Sequence, residues 1–460
     1  MKRYILIGSP ELIGDRVVSF KLTCSSDIEK YFLSTNLTAE YDEDMDELPQ
    51  GIIEIPAVAS VILLGWHLAA DIHIEYLDRN YIESLGKVQN IFKSWYPKLP
   101  FSKLNVKNPI KNSSKGNSYG MLFSGGLDSM TTYLRNKQYE PRLFHCITRD
   151  EYLKTDKRVL REFAERERRK IHFIKSNINS IIHEKLLSSK FGVDWWGNIS
   201  HSIVYTGLVA PFATLYGINT LLIASSHTKE FKHPWGSHPL IDNEITWAGT
   251  KVIHDGYELS RQQKIRFISN ECKNKNIYEI LGSLSIVPDR CPNRSNPNSS
   301  ICGKCITCAE GKAEKCLRTI VGLTLEGIDC NKCGFNANKA TFEFIRKCLV
   351  NGCLFKKKLV NNQRGQIIEE DSILFFWKDI QKYIAEGTPD DLYGSKEFFE
   401  WLKKFETDEY ISEIKFHEIP RLTLATAAFY AYPFYCNIPY SVRNFSILKS
   451  IEDEIYKYIS

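Results

Sequence analysis

Short apolar runs alternate with longer amphipathic segments through the middle of this 460-residue chain. Apolar runs of strand length occupy 121–123, 142–147, 170–174 and 220–224. Segments with helical spacing occupy 129–137, 156–169 and 201–215. Strand and helix patterns that alternate at this spacing predict a parallel sheet covered by helices on both faces. The expected fold class is therefore α/β.

The first 115 residues carry a different pattern. Strand-like runs at 4–8, 51–55 and 73–76 mix with apolar helical segments at 57–69 and 81–95. Residues 108–118 are rich in Asn, Ser, Lys and Gly, which is the composition of a linker or an exposed loop. These patterns predict an α+β N-terminal domain.

The end of the chain shows a third pattern. From Thr341 onward, apolar and aromatic residues recur at helical spacing with few strand signals. A chain of this length exceeds what one hydrophobic core usually organises. The predicted division is an α+β domain, a sheet core, a cysteine-rich segment and a helical C-terminal region, with bounds 1–115, 116–287, 288–335 and 336–460.

Charge and hydropathy narrow the classes of partner. The formal charge is only +5, and the charged run at 150–170 alternates in sign, so it predicts a solvated helix face. A nucleic-acid partner is not expected from such a surface. The most apolar stretch, 55–70, is too short for a membrane span and contains Pro56 and His67. The first residues lack the apolar run of a secretory signal, so we expect a cytoplasmic protein.

One string carries candidate chemistry. A predicted strand ends at Phe123 and feeds the turn Ser124-Gly125-Gly126-Leu127, after which Asp128 and Ser129 open a helix. Glycines let the backbone turn sharply and expose N–H groups, and the helix N-terminus adds its positive dipole end, so this is a predicted anion site. An acid beside a phosphate requires a cation between them, so Asp128 predicts Mg²⁺ bridged to a triphosphate.

The string Ser-Gly-Gly-Leu-Asp-Ser resembles the signature of the PP-loop, or N-type, ATP pyrophosphatases. The resemblance implies a Rossmann-like (HUP-type) sheet, cleavage of ATP between the α and β phosphates, and a bound adenylate. No Walker A pattern, Gly-x4-Gly-Lys-Ser/Thr, occurs in the chain. We assign catalysis to Asp128, Ser124 and Ser129. The predicted ATP site comprises Leu122, Phe123, Ser124, Gly125, Gly126, Leu127, Asp128 and Ser129.

Cysteine spacing predicts a metal. The chain has thirteen cysteines, and seven of them lie between Cys291 and Cys333. Without an export signal, this clustering argues for metal binding over a disulfide framework. The spacing C-x10-C-x2-C-x2-C predicts a structural Zn²⁺ site, since four sulfurs leave no open position for substrate. An iron–sulfur cluster is the alternative. The predicted ligands are Cys291, Cys302, Cys305 and Cys308.

A PP-loop followed by a four-cysteine knuckle resembles the 7-cyano-7-deazaguanine synthases, the QueC family, over roughly 119–320. The resemblance implies that a 7-carboxy-7-deazaguanine is adenylated, that ammonia displaces AMP to give an amide, and that a second activation dehydrates the amide to a nitrile. In the family a Leu-Arg segment follows the last zinc ligand directly. Here residues 309–315 separate Cys308 from Cys316-Leu317-Arg318. Cys316 is therefore an alternate ligand, and a second or shared site at Cys330 and Cys333 stays open.

The added flanking regions extend this resemblance. Enlarged QueC-like proteins occur in anti-phage defence cassettes, where the activated deazaguanine is implied to be joined to the amine of a partner protein. The implied partners are a small 7-deazaguanine carboxylate and a protein acceptor from the same gene cassette. The flanking regions would then recognise the acceptor.

Polar side chains are concentrated between the last predicted core strand and the cysteines. Ligands of open α/β sheets bind beyond the carboxyl ends of strands, so this segment predicts substrate contacts. Trp235 would stack on a purine-like ring, and Asp242 or Asn243 would read its donor edge. For each residue, a helix cap, a loop hydrogen bond or packing is the alternative. The predicted substrate residues are Ser226, His227, Trp235, His238, Asp242 and Asn243.

Two other functions remain open. A tRNA-modifying PP-loop enzyme would adenylate a base oxygen, and it would need an RNA-binding surface. An ATP-binding sensor subunit would bind nucleotide without turnover. The intact loop argues against the sensor, because a degenerate site would tolerate the loss of Asp128.

Overall fold

The described residues of the computed structural model include most of the first 271 residues and parts of the rest. Residues Met1–Lys403 form one compact unit. The described ranges are 2–45, 48–97, 99–114, 116–148, 155–191, 194–230, 234–271, 314–333, 335–350, 358–361, 367–370, 372–386 and 390–405.

Strands and helices alternate along these residues. The strands are β1 Tyr4–Ile7, β2 Glu11–Ile13, β3 Val17–Cys24, β4 Asn36–Tyr41, β5 Asp71–Asp78, β6 Leu104–Ile110, β7 Ser118–Leu122, β8 Arg142–Ile147, β9 Ile171–Ser176, β10 Ile218–Ala224, β11 Thr246–Trp247, β12 Thr250–Asp255, β13 Lys358–Asn361 and β14 Ile367–Glu370. The α-helices are α1 Ile55–Leu68, α2 Arg79–Trp95, α3 Leu127–Asn136, α4 Thr155–Arg166, α5 Ile178–Ile181, α6 Glu184–Phe191, α7 His201–Leu215, α8 Pro239–Asp242, α9 Arg261–Glu271, α10 Glu314–Leu325, α11 Lys339–Val350, α12 Ser372–Ile384 and α13 Lys396–Lys404. Short 3-10 turns and one π-helix, Trp195–Ser200, complete the set.

A twelve-stranded sheet organises the fold, in the order β11-β12-β10-β7-β8-β9-β4-β3-β1-β5-β6, with β2 beside β3. Strands β9, β8, β7, β10 and β12 pair with one another in this order, and all four of these pairings are parallel. Numbered along the chain, these five follow the order 3-2-1-4-5, so the direction of winding reverses between β7 and β10. Such a reversal opens a crevice at the carboxyl ends of the two strands, where ligands of doubly wound sheets bind.

Two apolar helices cover one part of this sheet. Every residue of α1 is buried, and α7 is buried along most of its length. A helix that is apolar all round is expected inside a core rather than at a surface. Gly207 of α7 makes the close approach to α1, because a Cβ atom there would lie 2.2 Å from the Ala59 Cβ.

The N-terminal strands enlarge the sheet and change its character. Strand β4 pairs antiparallel with β9, with Ala39 opposite Ser176, and β3 pairs antiparallel with β4. The α/β class is therefore confirmed, while the sheet is mixed and largely parallel rather than wholly parallel. Buried and more exposed residues alternate along β4, but neither this strand nor its pairing with β9 was predicted from the sequence. The predicted boundaries at 115, 287 and 335 remain predictions.

Two local predictions were wrong. Residues 51–55, predicted as a strand, form a turn that leads into α1. Gly51 has φ +83°, its N–H donates to Glu54 Oε2 at 2.6 Å, and Pro56 occupies the first turn of the helix. These features favour a turn and a helix start over an extended strand. Part of the predicted linker, 108–110, belongs to β6.

The predicted helical C-terminal region is helical in part. Its described residues include α11, α12 and α13, and also the antiparallel hairpin of β13 and β14. Among the described residues, no helix combines the length and the hydropathy needed to cross a membrane.

Candidate functional site

The predicted phosphate loop, residues 124–129, lies at the crevice between β7 and β10. Gly125 has φ +68°, a backbone conformation that favours glycine. Ser124 Oγ accepts a hydrogen bond from the Gly126 N–H at 3.2 Å and lies 3.2 Å from Ser129 Oγ. Gly126, which precedes α3, has no side chain to cap the first-turn N–H groups. Hydroxyls and N–H groups at a helix N-terminus form an anion site.

Asp128 lies in the first turn of α3 and is paired with two cations from α9. Its carboxylate lies 3.1 Å from Lys264 Nζ and 3.4 Å from Arg261 Nη1. Both cationic residues are buried, with 2% and 7% exposure. Buried charges need partners, so these contacts place two positive side chains next to the phosphate loop at a fixed position.

Helix α9 also contacts the second strand of the crevice. Lys264 Nζ donates to the backbone oxygen of Ser225, the residue that follows β10. One ammonium group therefore joins the loop after β7 to the loop after β10. Within this triad two cations face one acid, so the triad itself carries a positive charge, which favours a polyanionic ligand.

Sequence reasoning missed Arg261 and Lys264. Their contact with Asp128 joins residues more than a hundred positions apart, and such contacts leave no local pattern. One signal was present: the run from Ser260 to Lys264 contains Ser-x-x-Gln, a helix-start signature, followed by cations spaced for one helix face.

The loops after β10 and β12 run side by side. The Ser225 N–H donates to Asp255 O at 2.8 Å, and the Lys229 N–H donates to Tyr257 O at 2.9 Å. The predicted substrate residues therefore lie on the side of the sheet where the carboxyl ends of the parallel strands meet. The phosphate loop lies on the same side, one or two strands away.

Aromatic rings gather around Trp235. Its ring lies 4.5 Å from that of His227 and 5.7 Å from that of His201, both edge to face. The His227 ring in turn lies 6.3 Å from Phe376 of α12, nearly parallel to it. Ser226, by contrast, is exposed. The structure brings His227 and Trp235 together and adds His201, which the sequence prediction omitted.

Two glycines set the position of Trp235. A Cβ atom on Gly197, in the π-helix, would lie 2.9 Å from Trp235 Cη2, and one on Gly236 would lie 2.9 Å from His201 Nδ1. The Gly236 N–H donates to Gly197 O at 3.1 Å. Single-turn π segments occur frequently at functional sites. The indole is therefore held by backbone contacts that larger side chains would prevent.

Asp242 lies at the centre of a buried hydrogen-bond network. It accepts from Ser237 Oγ at 2.7 Å and from His254 Nδ1 at 2.7 Å, and the side chains of Asp242 and His254 are fully buried. Asn243 Oδ1 accepts from the His254 N–H at 2.8 Å. These partners fix the loop after α8. Asp242 and Asn243 therefore make loop hydrogen bonds, which the sequence analysis gave as the alternative to substrate contact.

His238 caps α8 next to this network. The Leu240 N–H donates to His238 Nδ1 at 3.1 Å, which leaves the ring proton on Nε2, 3.2 Å from the Tyr257 hydroxyl. Burial lowers the pKa of His238, and the nearby His254 lowers it further. His238 is therefore a neutral donor to Tyr257 at neutral pH.

The predicted zinc ligands Cys291, Cys302, Cys305 and Cys308 lie outside the described residues. Cys316, the alternate ligand, is buried on α10. Cys330 and Cys333 are buried in one 3-10 turn, and burial raises the pKa of Cys333 to about 12, with Cys330 adding to the shift. Within the described ranges, no group of three or more ligating side chains is placed to hold a metal. The zinc site remains a prediction.

A polar cavity of about 160 Å³ lies farther along the same sheet edge. It is small beside the few hundred cubic ångströms of an ordinary ligand pocket, so it fits only a small polar group. Its lining residues come from β3 and β4 and from the carboxyl ends of β8 and β9: Val17, Thr38, Glu40, Thr148, Lys175, Ser176, Asn177 and Ser180.

Comparisons of the chain with protein-family models, with curated proteins and with solved structures gave no match.

Proposed function

We propose that this protein is an ATP-dependent carbon–nitrogen ligase of the PP-loop class that adenylates a carboxylate and releases pyrophosphate. The observation that carries the proposal is the phosphate loop at the β7/β10 crevice, with Arg261 and Lys264 held against Asp128. The strand order 3-2-1-4-5 supports the HUP-type fold that the resemblance implies.

The residues at the loop suit the polyphosphate of ATP. The N–H groups of the loop, the Ser124 and Ser129 hydroxyls and two buried cations would supply donors and positive charge where pyrophosphate leaves. Electrostatic stabilisation of a leaving group by fixed charges is usually the largest catalytic term. The α-phosphorus stays open to an attacking carboxylate oxygen, which favours AMP transfer over phosphoryl transfer.

The donor set also fits Mg²⁺. This ion is usually held by one or two carboxylates together with substrate phosphates, and Asp128 supplies one carboxylate beside the loop. Bound Mg²⁺ would neutralise phosphate charge. Arg261 and Lys264, which lie 3.4 Å and 3.1 Å from the Asp128 carboxylate, would add fixed positive charge beside the phosphates.

The substrate assignment rests on the family resemblance and on the aromatic group. Trp235 and His227 offer ring surfaces for a planar heterocycle, and the proposed substrate is a 7-deazaguanine carboxylate. Attack on the adenylate by ammonia or by an amine of a partner protein gives an amide or a conjugate, and dehydration of the amide gives a nitrile. We propose the conjugating reaction, as in anti-phage defence, for a chain with these flanking regions.

The test is product analysis. The protein, ATP, Mg²⁺ and 7-carboxy-7-deazaguanine are combined with ammonia or with co-purifying proteins, and products are identified by mass spectrometry. We expect AMP, pyrophosphate and a new amide or nitrile. Release of ADP and orthophosphate without AMP would overturn the proposal.

A non-catalytic ATP sensor is the second candidate, and one observation favours it. The Asp128 carboxylate is engaged by two buried cations, and an acid in that state is a poorer metal ligand. Tight ATP binding without pyrophosphate release, across a broad panel of carboxylic acids, would support the sensor.

A further inference from the structure

The N-terminus of α9 is capped with unusual completeness. Ser260 and Gln263 form a capping box: the Gln263 N–H donates to Ser260 Oγ at 3.3 Å, and the Ser260 N–H donates to Gln263 Oε1 at 2.8 Å. The backbone N–H of Gln262 lies between these two and needs a different acceptor.

Asp379 of α12 supplies that acceptor. The Gln262 N–H donates to Asp379 Oδ2 at 3.2 Å, and Asp379 is only 3% exposed. Burial raises the pKa of Asp379, and hydrogen bonds from Ser260 and Gln262 oppose that rise. A carboxylate at a helix N-terminus also meets the positive end of the helix dipole. Asp379, which is 117 positions after Gln262 in the chain, thus holds the first turn of α9.

The same turn carries the cations of the phosphate site. Arg261 and Lys264 are three residues apart, so they lie on one face of the helix. Side chains of a helix point back toward its N-terminus, which directs both groups to Asp128. Fraying or rotation of this turn would move both cations together. Displacements of about 1 Å at such positions can cost roughly 10²-fold in rate.

Helix α10 fixes the next part of α9. Gln262 Nε2 donates to Gly322 O at 3.1 Å and to Glu326 Oε1 at 2.8 Å. Gly322 is required for this contact, because a Cβ atom there would lie 2.5 Å from Ile265 Cδ1. Groups of α10 and α12 therefore hold the start of α9, in addition to Asp128.

We propose that Asp379 is a positioning residue that sets the orientation of Arg261 and Lys264 by capping α9. This inference rests on the proposed function, since it concerns the same phosphate site. It gives α12 a role in ATP binding, in addition to any role in recognising an acceptor.

The experiment measures binding of α,β-methylene-ATP with Mg²⁺ by titration calorimetry, with thermal unfolding of every variant. We expect Asp379→Ala to weaken binding at least about 10-fold. Asp379→Asn keeps an oxygen acceptor for the Gln262 N–H, so its affinity should stay within about 3-fold of wild type. Glu386→Ala is the matched control, because Glu386 accepts from Arg266 Nη1 of α9 at 2.7 Å without touching the first turn.

Three results would overturn the inference alone: wild-type affinity in Asp379→Ala, equal losses in Asp379→Ala and Glu386→Ala, or an Asp379→Asn variant as weak as the alanine. Should Asp379→Ala fail to fold, Ser260→Ala opens the same cap from the other side and must show the same loss of affinity. Wild-type protein that binds no analogue would overturn the proposed function, and this inference with it.

Discussion

The two sides of the β7/β10 crevice are built in opposite ways. At the end of β7, Asp128 is held by charges from α9, a helix that follows the sheet in sequence. At the ends of β10 and β12, Asp242 accepts hydrogen bonds from Ser237 and His254 in a buried network whose members all come from the short segment 237–257. Asp128 is therefore held by residues more than a hundred positions away in the chain, whereas Asp242 is held by residues within twelve positions of it.

This difference predicts different responses to substitution. The Asp128 carboxylate borders the phosphate loop, so its ionic contacts can be exchanged for contacts with a ligand, and its removal should lower ligand binding as well as the stability that its pairing with buried Arg261 and Lys264 supplies. A fully buried pair with no path to the solvent contributes mainly to folding, because an unpaired buried charge is costly. Variants on the two sides should therefore separate activity from stability.

The largest expected effect is at the loop. Asp128→Ala removes the carboxylate that joins the metal and the cations, so we expect pyrophosphate formation to fall by at least about 10³-fold. The circular dichroism spectrum should stay unchanged. Loss of the spectrum together with activity would show that Asp128 serves the fold instead.

The buried pair should give the opposite result. Asp242→Ala leaves His254 and Ser237 without their acceptor, so we expect a loss of about 3 kcal/mol in the free energy of unfolding. Urea titration measures this loss. Binding of an ATP analogue to the folded fraction should remain within about 3-fold, and a larger change would make Asp242 part of the ligand site. Leu240→Ala, which removes a side chain of α8 that is 54% exposed, is the control.

Lys264→Met should have an intermediate effect. It removes the ammonium group that joins the two loops while Arg261 remains beside Asp128, so we expect affinity for ATP to fall about 10-fold. Arg135→Met is the matched control, because Arg135 lies in the last turn of α3, away from the phosphate loop, and is 3.3 Å from Asp255. Equal losses in the two variants would indicate a general charge effect in place of a direct contact.

The smallest expected effect depends on pH. Burial lowers the pKa of both His201 and His238 in the folded state. Their neutral forms therefore stabilise the fold above the unfolded pKa near 6.5, and this stability is lost as pH falls through the lower folded values. Urea midpoints should decrease between pH 7 and pH 5. In His238→Gln the decrease should be smaller, by less than about 1 kcal/mol because the ring is half exposed. An identical decrease would exclude a contribution from His238.

Local periodicity was enough to predict some elements with their bounds. Strand β8 and helix α7 begin and end where the pattern placed them. The phosphate loop was also visible, because its strand, glycines and helix start are adjacent in sequence. A strand pattern failed at 51–55, where Gly51 adopts a positive φ that hydrophobic spacing does not reveal.

Long-range contacts could not be predicted in this way. Pairing of Ala39 with Ser176, capping of α9 by Asp379, and the approach of Arg261 and Lys264 to Asp128 all join distant positions. Each depends on the assembled fold. The sequence thus predicted the loop but not the cations that complete it.

The pairing of β4 with β9 also has a consequence for synthesis on the ribosome. Strands β1, β3 and β4 are translated well before β9, so the free edge of β4 has no partner while more than a hundred further residues are added. An unpaired strand edge with apolar neighbours is prone to pair with another chain. Nascent chains interrupted before Ile171 should therefore depend on chaperones, and those that extend past Ser176 should depend on them less.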